Sequence, residues 1–174
     1  MFKTDGAASF LAAWRGLSQD TPTPHFRTAF QQLSPKILPR IVILEKTPEG
    51  KYIIRFMGTS RALMWGEDLT SKDFLLLMPD FLRPTASRNM TTMLDHPCGM
   101  SYVADYVTSN GRELLMEHIT VPVENDAGLP RRLLNYADEV TTVGYADPRG
   151  EIQKVQQRTW IDIGSGVPDK PPAK

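Results

Sequence analysis

Cysteine is nearly absent from this chain of 174 residues. The single thiol, Cys98, excludes an intramolecular disulfide framework and a cysteine-rich zinc site. Net charge is absent as well: 20 Lys+Arg balance 20 Asp+Glu, so no overall field draws the protein to a polyanion or an anionic membrane. Neither nucleic acid nor a membrane is expected as a partner. Long apolar runs are missing too. The run at 7–14 is cut by Arg15 with no cleavage motif after it, and the cluster at 74–78 falls far short of the roughly 20 residues a spanning helix needs. The three histidines, His25, His96 and His118, are too scattered for a local metal motif, and no HExxH, CxxC, GxSxG or P-loop pattern occurs. These absences describe a reduced, cytoplasmic globular protein.

What is present suffices for one domain with tails, since 41% of the residues are hydrophobic. Phe10, Leu11, Trp14 and Leu17 fall on one face of a helix over 7–17, and Thr21-Pro22-Thr23-Pro24 breaks it, so residues 1–36 read as an N-terminal helix and linker. Apolar, β-branched stretches at 40–46 and 51–57 flank Pro48-Glu49-Gly50 and predict a hairpin. Helical punctuation follows. Thr59 or Ser60 caps a turn that Gly66 stops, and Thr70 with Asp73 has capping-box spacing before Phe74-Leu75-Leu76-Leu77. Asp80 opens a longer helix carrying Leu82, Ala86, Met90 and Met93, with Pro84 tolerated in its first turn and Pro97 closing it. Strands are then expected at 100–108, 112–123 and 131–143, joined by Asn110-Gly111 and Asn125-Asp126-Ala127-Gly128. Leu114-Leu115 and Leu133-Leu134 are apolar on both faces, so the outer face needs a cover, which the first helix supplies. In the tail, 145–174, only Trp160-Ile161-Asp162-Ile163 offers a docking element.

Two strands, a helical crossing and three strands are best solved as a five-stranded antiparallel sheet with short helices on one face, an α+β domain over residues 37–144. Leu38-Pro39 before the first strand, Phe56-Met57-Gly58-Thr59, and Gly66-Glu67-Asp68-Leu69-Thr70 occur in that order. Asn110-Gly111-Arg112, Val121-Pro122-Val123 and Ile161-Asp162-Ile163-Gly164 follow them. This series resembles the PAS superfamily, and within it a single-domain PAS-like family common in alphaproteobacteria. The departure is Ser71, where the family pattern G-x-D-L-T-G continues with Gly. The resemblance implies signal sensing, a small cavity between sheet and helices, and dimerisation through flanking helices.

Strand alternation puts Tyr52, Ile54 and Phe56 on one face, and groups Tyr102, Ala104 and Tyr106, then Leu134, Tyr136 and Asp138. Tyr52, Ile54, Phe56, Tyr102, His118 and Tyr136, closed over by Met64 and Trp65 from the first crossing helix, are therefore the candidate lining of a ligand cavity. The alternative is that they only fill the core. His118 reads either as a sheet-face side chain satisfied by a neighbour or as a pocket contact, on the face opposite Glu117. Arg55 and Glu117 are a candidate charge pair. Phe10, Leu11, Trp14 and Leu17 either dock on the sheet or pack a homodimer. Cys98 lacks the surroundings of a flavin-adduct cysteine, and neither His96 nor His118 lies in a haem-binding segment, so no cofactor is expected.

No kinase, cyclase, phosphodiesterase or DNA-binding segment accompanies the domain. A non-catalytic sensory or regulatory module is expected, with a small-molecule effector and a signalling partner protein. One alternative is a small isomerase or dehydratase using Asp105 or Asp138 with His118 as acid and base. Another is a scaffold with a filled core.

Overall fold

A computed structural model describes residues 2–17, 21–124 and 132–173. Helices α1 (Asp5–Leu17) and α2 (Phe26–Gln32) precede strands β1 (Ile41–Lys46) and β2 (Tyr52–Met57). The crossing consists of α3 (Thr59–Trp65), a 3-10 turn at Phe74–Leu77 and α4 (Arg83–Asp95). Strands β3 (Gly99–Val107), β4 (Arg112–Val123), β5 (Arg132–Tyr145) and β6 (Glu151–Ile161) complete the molecule. The sheet is antiparallel in the order β2-β1-β5-β4-β3-β6. The α+β architecture expected from sequence is present, but with six strands. β6 lies in the segment read as tail and pairs with β3 from Gly99↔Ile161 to Val107↔Glu151. Its alternation is hidden by the polar residues on either side of Val155, because an edge strand needs few apolar residues. The turn expected at Asn125-Asp126-Ala127-Gly128 lies outside the described residues.

Both faces of the sheet are covered. On one, the crossing packs its Phe74, Met78, Met90 and Met93 against Val42, Leu44, Tyr102, Met116 and Leu133. On the other, Ala7, Phe10, Leu11 and Trp14 of α1 pack against Ile43, Ile119, Val121, Leu134 and Tyr136. Trp14 and Phe10 are fully buried, so the apolar stripe of α1 docks within its own chain. Burial of such side chains stabilises by about 1.5–3 kcal/mol each. Adjacent leucines on β5 are now explained: Leu133 faces the crossing and Leu134 faces α1.

Local signals act largely as their chemistry dictates. Gly66 takes φ 87° and ends α3. Gly58 is required for a close approach rather than for an unusual backbone angle. Its φ is an ordinary −64°, but a β-carbon there would overlap the carbonyl oxygens of Leu38 and Pro39, so only glycine permits that approach. Asp73, not Thr70, caps the 3-10 turn, accepting from the Leu75 amide at 3.1 Å and from the Tyr52 amide of β2 at 3.2 Å. The expected Asp80 cap is absent: Leu82 precedes α4, and Asp80 instead pairs with Arg83 at 2.8 Å. Ser71 adopts φ 73°, the left-handed region, at the position where the family pattern carries Gly. Among the described residues no helix is long and apolar enough to cross a membrane.

Candidate functional site

The polar centre of the crossing face is built on three neighbouring strands. Tyr102 of β3 and His118 of β4 are register partners, and their rings stack at 4.5 Å with 7° between planes. Asn135 of β5 is the node. Its amide nitrogen donates to Thr120 Oγ1 at 2.8 Å and to the Tyr102 hydroxyl at 3.3 Å, while its Oδ1 lies 3.3 Å from His118 Nδ1. With both amide hydrogens so directed, Oδ1 must accept, which assigns the proton of neutral His118 to Nδ1. Burial, reinforced by the Arg61 guanidinium, holds His118 well below its ordinary pKa, so the ring is neutral. Burial likewise raises the Tyr102 phenol, which stays protonated.

Beside this network lies a cavity of about 40 Å³. Tyr102, Thr120 and Asn135 form its polar floor, and Met78, Met90, Met93 and Met100 line its apolar side. Arg158 reaches it from β6, next to an irregularity in the β3 pairing where Gln157 takes φ 53°. A second, larger cleft of about 280 Å³ opens between α3 and the sheet, lined by Arg61, Met64, Leu114 and Met116 among others.

The expected lining residues divide between these places. Tyr102 lines the small cavity, with His118 stacked behind it. Met64 lines the second cleft, and Trp65 packs edge-on to Tyr106 at 5.3 Å. Tyr52 and Ile54 belong to the same packed layer, the Tyr52 hydroxyl bonding Thr91 of α4 at 2.8 Å. Phe56 and Tyr136 do not join them. A bulge in β2 pairs Phe56 with Ile43 but Ile54 with Leu44, so Arg55 is the extra residue and Phe56 turns to the other face, edge-on to Phe30. Tyr136 lies under α1, stacked on Phe10 at 4.9 Å. On β5 the inward set is Leu133, Asn135 and Ala137 rather than Leu134, Tyr136 and Asp138. With both faces apolar, hydrophobicity could not choose the phase. The polar residue between Leu133 and Ala137 was the available signal for Asn135.

Two electrostatic expectations also change. Arg55 pairs with Glu45 at 3.3 Å, not with Glu117. The Glu117 carboxylate is buried and receives the amides of Lys3 (2.8 Å) and Thr4 (2.8 Å) and the Thr4 hydroxyl (3.0 Å), tying the start of α1 to β4. The carboxylates named as catalytic partners for His118 do not meet it. Asp138 is paired with Arg40, and Asp105 lies within reach of Gln156 at 3.4 Å. Cys98 is fully buried, and its thiol is pushed up to about 11, which leaves it un-ionised and unreactive.

A family model described as a PAS domain matches residues 3–136. The chain belongs to the PAS domain family. The match runs from just before α1 into the first part of β5, and so includes the crossing and most of the strands beneath it. No curated protein matches the chain. Membership makes this PAS domain a sensory or regulatory module in the general sense, and the network under its crossing is where such a role has chemistry available to it.

Proposed function

We propose that this PAS domain senses a small molecule held between the sheet and the crossing, and passes its state to a signalling partner protein by direct contact. The Asn135-centred network bordering the methionine-lined cavity carries the reading. Tyr102, Thr120 and Asn135 supply directional hydrogen bonds at one end of an otherwise apolar space, the composition of a site that orients a ligand rather than merely enclosing it. A void of about 40 Å³ accommodates little more than a water or two. A metabolite therefore enters only if Met78, Met90 and Met93 move, and their unbranched, flexible side chains suit that. Because these residues belong to the 3-10 turn's C-cap and to α4, their displacement repacks the crossing. A ligand shifts that equilibrium by its difference in affinity for the two packings.

Native mass spectrometry of the purified protein tests the reading. The expected result is a retained non-covalent small molecule, lost when Asn135→Leu and Tyr102→Phe are combined. A protein that carries nothing, and whose melting temperature no metabolite in a broad panel moves, would instead be the scaffold with a filled core.

A further inference from the structure

Among the described residues, Arg61 is a buried charge without a compensating partner. It is only 3% exposed, and among the described residues its Nε and Nη1 have no hydrogen-bond partner. One turn further along α3, the buried Trp65 Nε1 is also unpartnered, and so is the hydroxyl of Tyr106, whose ring packs against Trp65. Three of these four atoms, on Arg61 and Trp65, are obligate donors, and the fourth, a protonated phenol, can donate. Buried donors without acceptors are costly, and a buried cation more so.

The titratable groups around Arg61 offer it no counter-charge. Tyr102 and Tyr106 are kept protonated by burial, and His118 is kept neutral. The carboxylates that line the adjoining cleft are engaged elsewhere, Asp138 with Arg40 and Glu139 with Arg112 at 3.0 Å. Arg61 nevertheless lines that cleft, whose volume is about 280 Å³ and whose floor is the apolar Leu114 and Met116.

We infer that Arg61 anchors a small organic carboxylate that enters by this cleft, its oxygens accepting from the guanidinium and its aliphatic body on Leu114 and Met116. The planar guanidinium fork matches a carboxylate in two parallel hydrogen bonds, and the low-dielectric surroundings strengthen them. This extends the proposed sensing role to a second compartment, and it rests on that reading only in treating the crossing as the ligand-receiving layer.

The indole N–H of Trp65, one turn from Arg61 on α3, is a nearby reporter. Titrating the protein with hexanoate should move that proton's NMR resonance saturably, whereas hexanamide, the same shape without charge, should not. Arg61→Met should weaken hexanoate binding by roughly ten- to a hundredfold. Because it removes an unpaired buried cation, it should also leave the ligand-free melting temperature unchanged or higher. Arg61→Lys, which keeps the charge and loses the planar fork, provides a second variant with a smaller loss of affinity. Equal response to hexanoate and hexanamide, unaltered affinity in Arg61→Met, a response to inorganic phosphate alone, no saturable response to hexanoate, or a marked fall in the melting temperature of Arg61→Met would each overturn the assignment. A neutral metabolite retained in native mass spectrometry alongside no hexanoate response removes this site and leaves the sensing role in place.

Discussion

Buried polar side chains carry most of what distinguishes this PAS domain from a generic packed core, and two of them lie next to each other on β4. Glu117 faces α1, where three donors satisfy it; hydrogen bonds to a charged group contribute about 1.5–3 kcal/mol each. His118 faces the crossing and is held neutral. Its folded pKa lies below the ordinary 6.5, so the unfolded chain takes up the proton first as pH falls. The stability that neutral His118 contributes is complete above about pH 6.5 and is lost progressively below it, with a slope of up to about 1.4 kcal/mol per pH unit. Urea denaturation between about pH 7 and pH 5 should show that slope, and His118→Phe, which keeps a ring on Tyr102, should flatten it while lowering stability throughout. An unchanged slope in the variant would mean that other groups carry the acid sensitivity.

At the scale of elements, α1 is the clearest case of a helix stabilised by its docking rather than by itself. Its stripe was legible from spacing, but spacing alone could not decide between docking on the sheet and pairing with a second copy. Within the chain Phe10 stacks on Tyr136 and Trp14 is buried, so the stripe packs on the sheet. Trp14→Ala should cost about 3–5 kcal/mol in chemical denaturation, the usual penalty for emptying a large aromatic site. Its solution mass, read by analytical ultracentrifugation, should equal that of the parent protein. A fall in mass would show that the stripe also joins two copies. The crossing is the opposite kind of element. Its 3-10 turn and short α3 have little intrinsic helical stability, so they hold their places through Asp73, Gly66 and the methionine packing, the contacts that the proposed sensing role has a ligand rearrange.

At the scale of the whole molecule, β6 closes the sheet on the side of β3. Asn89 of α4 exchanges hydrogen bonds with the backbone of Ala173, and the Trp160 indole donates to the Lys170 carbonyl, so the chain beyond β6 folds back over it and reaches the crossing. Ending the chain before Glu151 should therefore uncover the unpaired edge of β3, with Met100, Ala104 and Tyr106 beside it. The shortened protein should melt earlier and scatter light increasingly with concentration, since its 16 Lys+Arg against 17 Asp+Glu supply little repulsion between copies. A shortened protein that stayed dispersed would show that the β3 edge needs no cover.

Local chemistry written into the chain determined the elements and their order. The Pro-Glu-Gly and Asn-Gly turns, the Gly66 stop, Pro97 after α4 and the amphipathic stripe of α1 each act within a few residues, through backbone conformation or helical spacing. Tertiary structure alone decided which way the strands face. With apolar residues on both sides of β5, a bulge at Arg55 and a polar edge strand, inward and outward are defined only by what packs above and below. That decision moved Phe56 and Tyr136 away from the crossing, brought Asn135 and Thr120 beneath it, and left Arg61 buried among neutral neighbours. Burial, not residue type, is what turns an arginine or a histidine into a group with unusual chemistry.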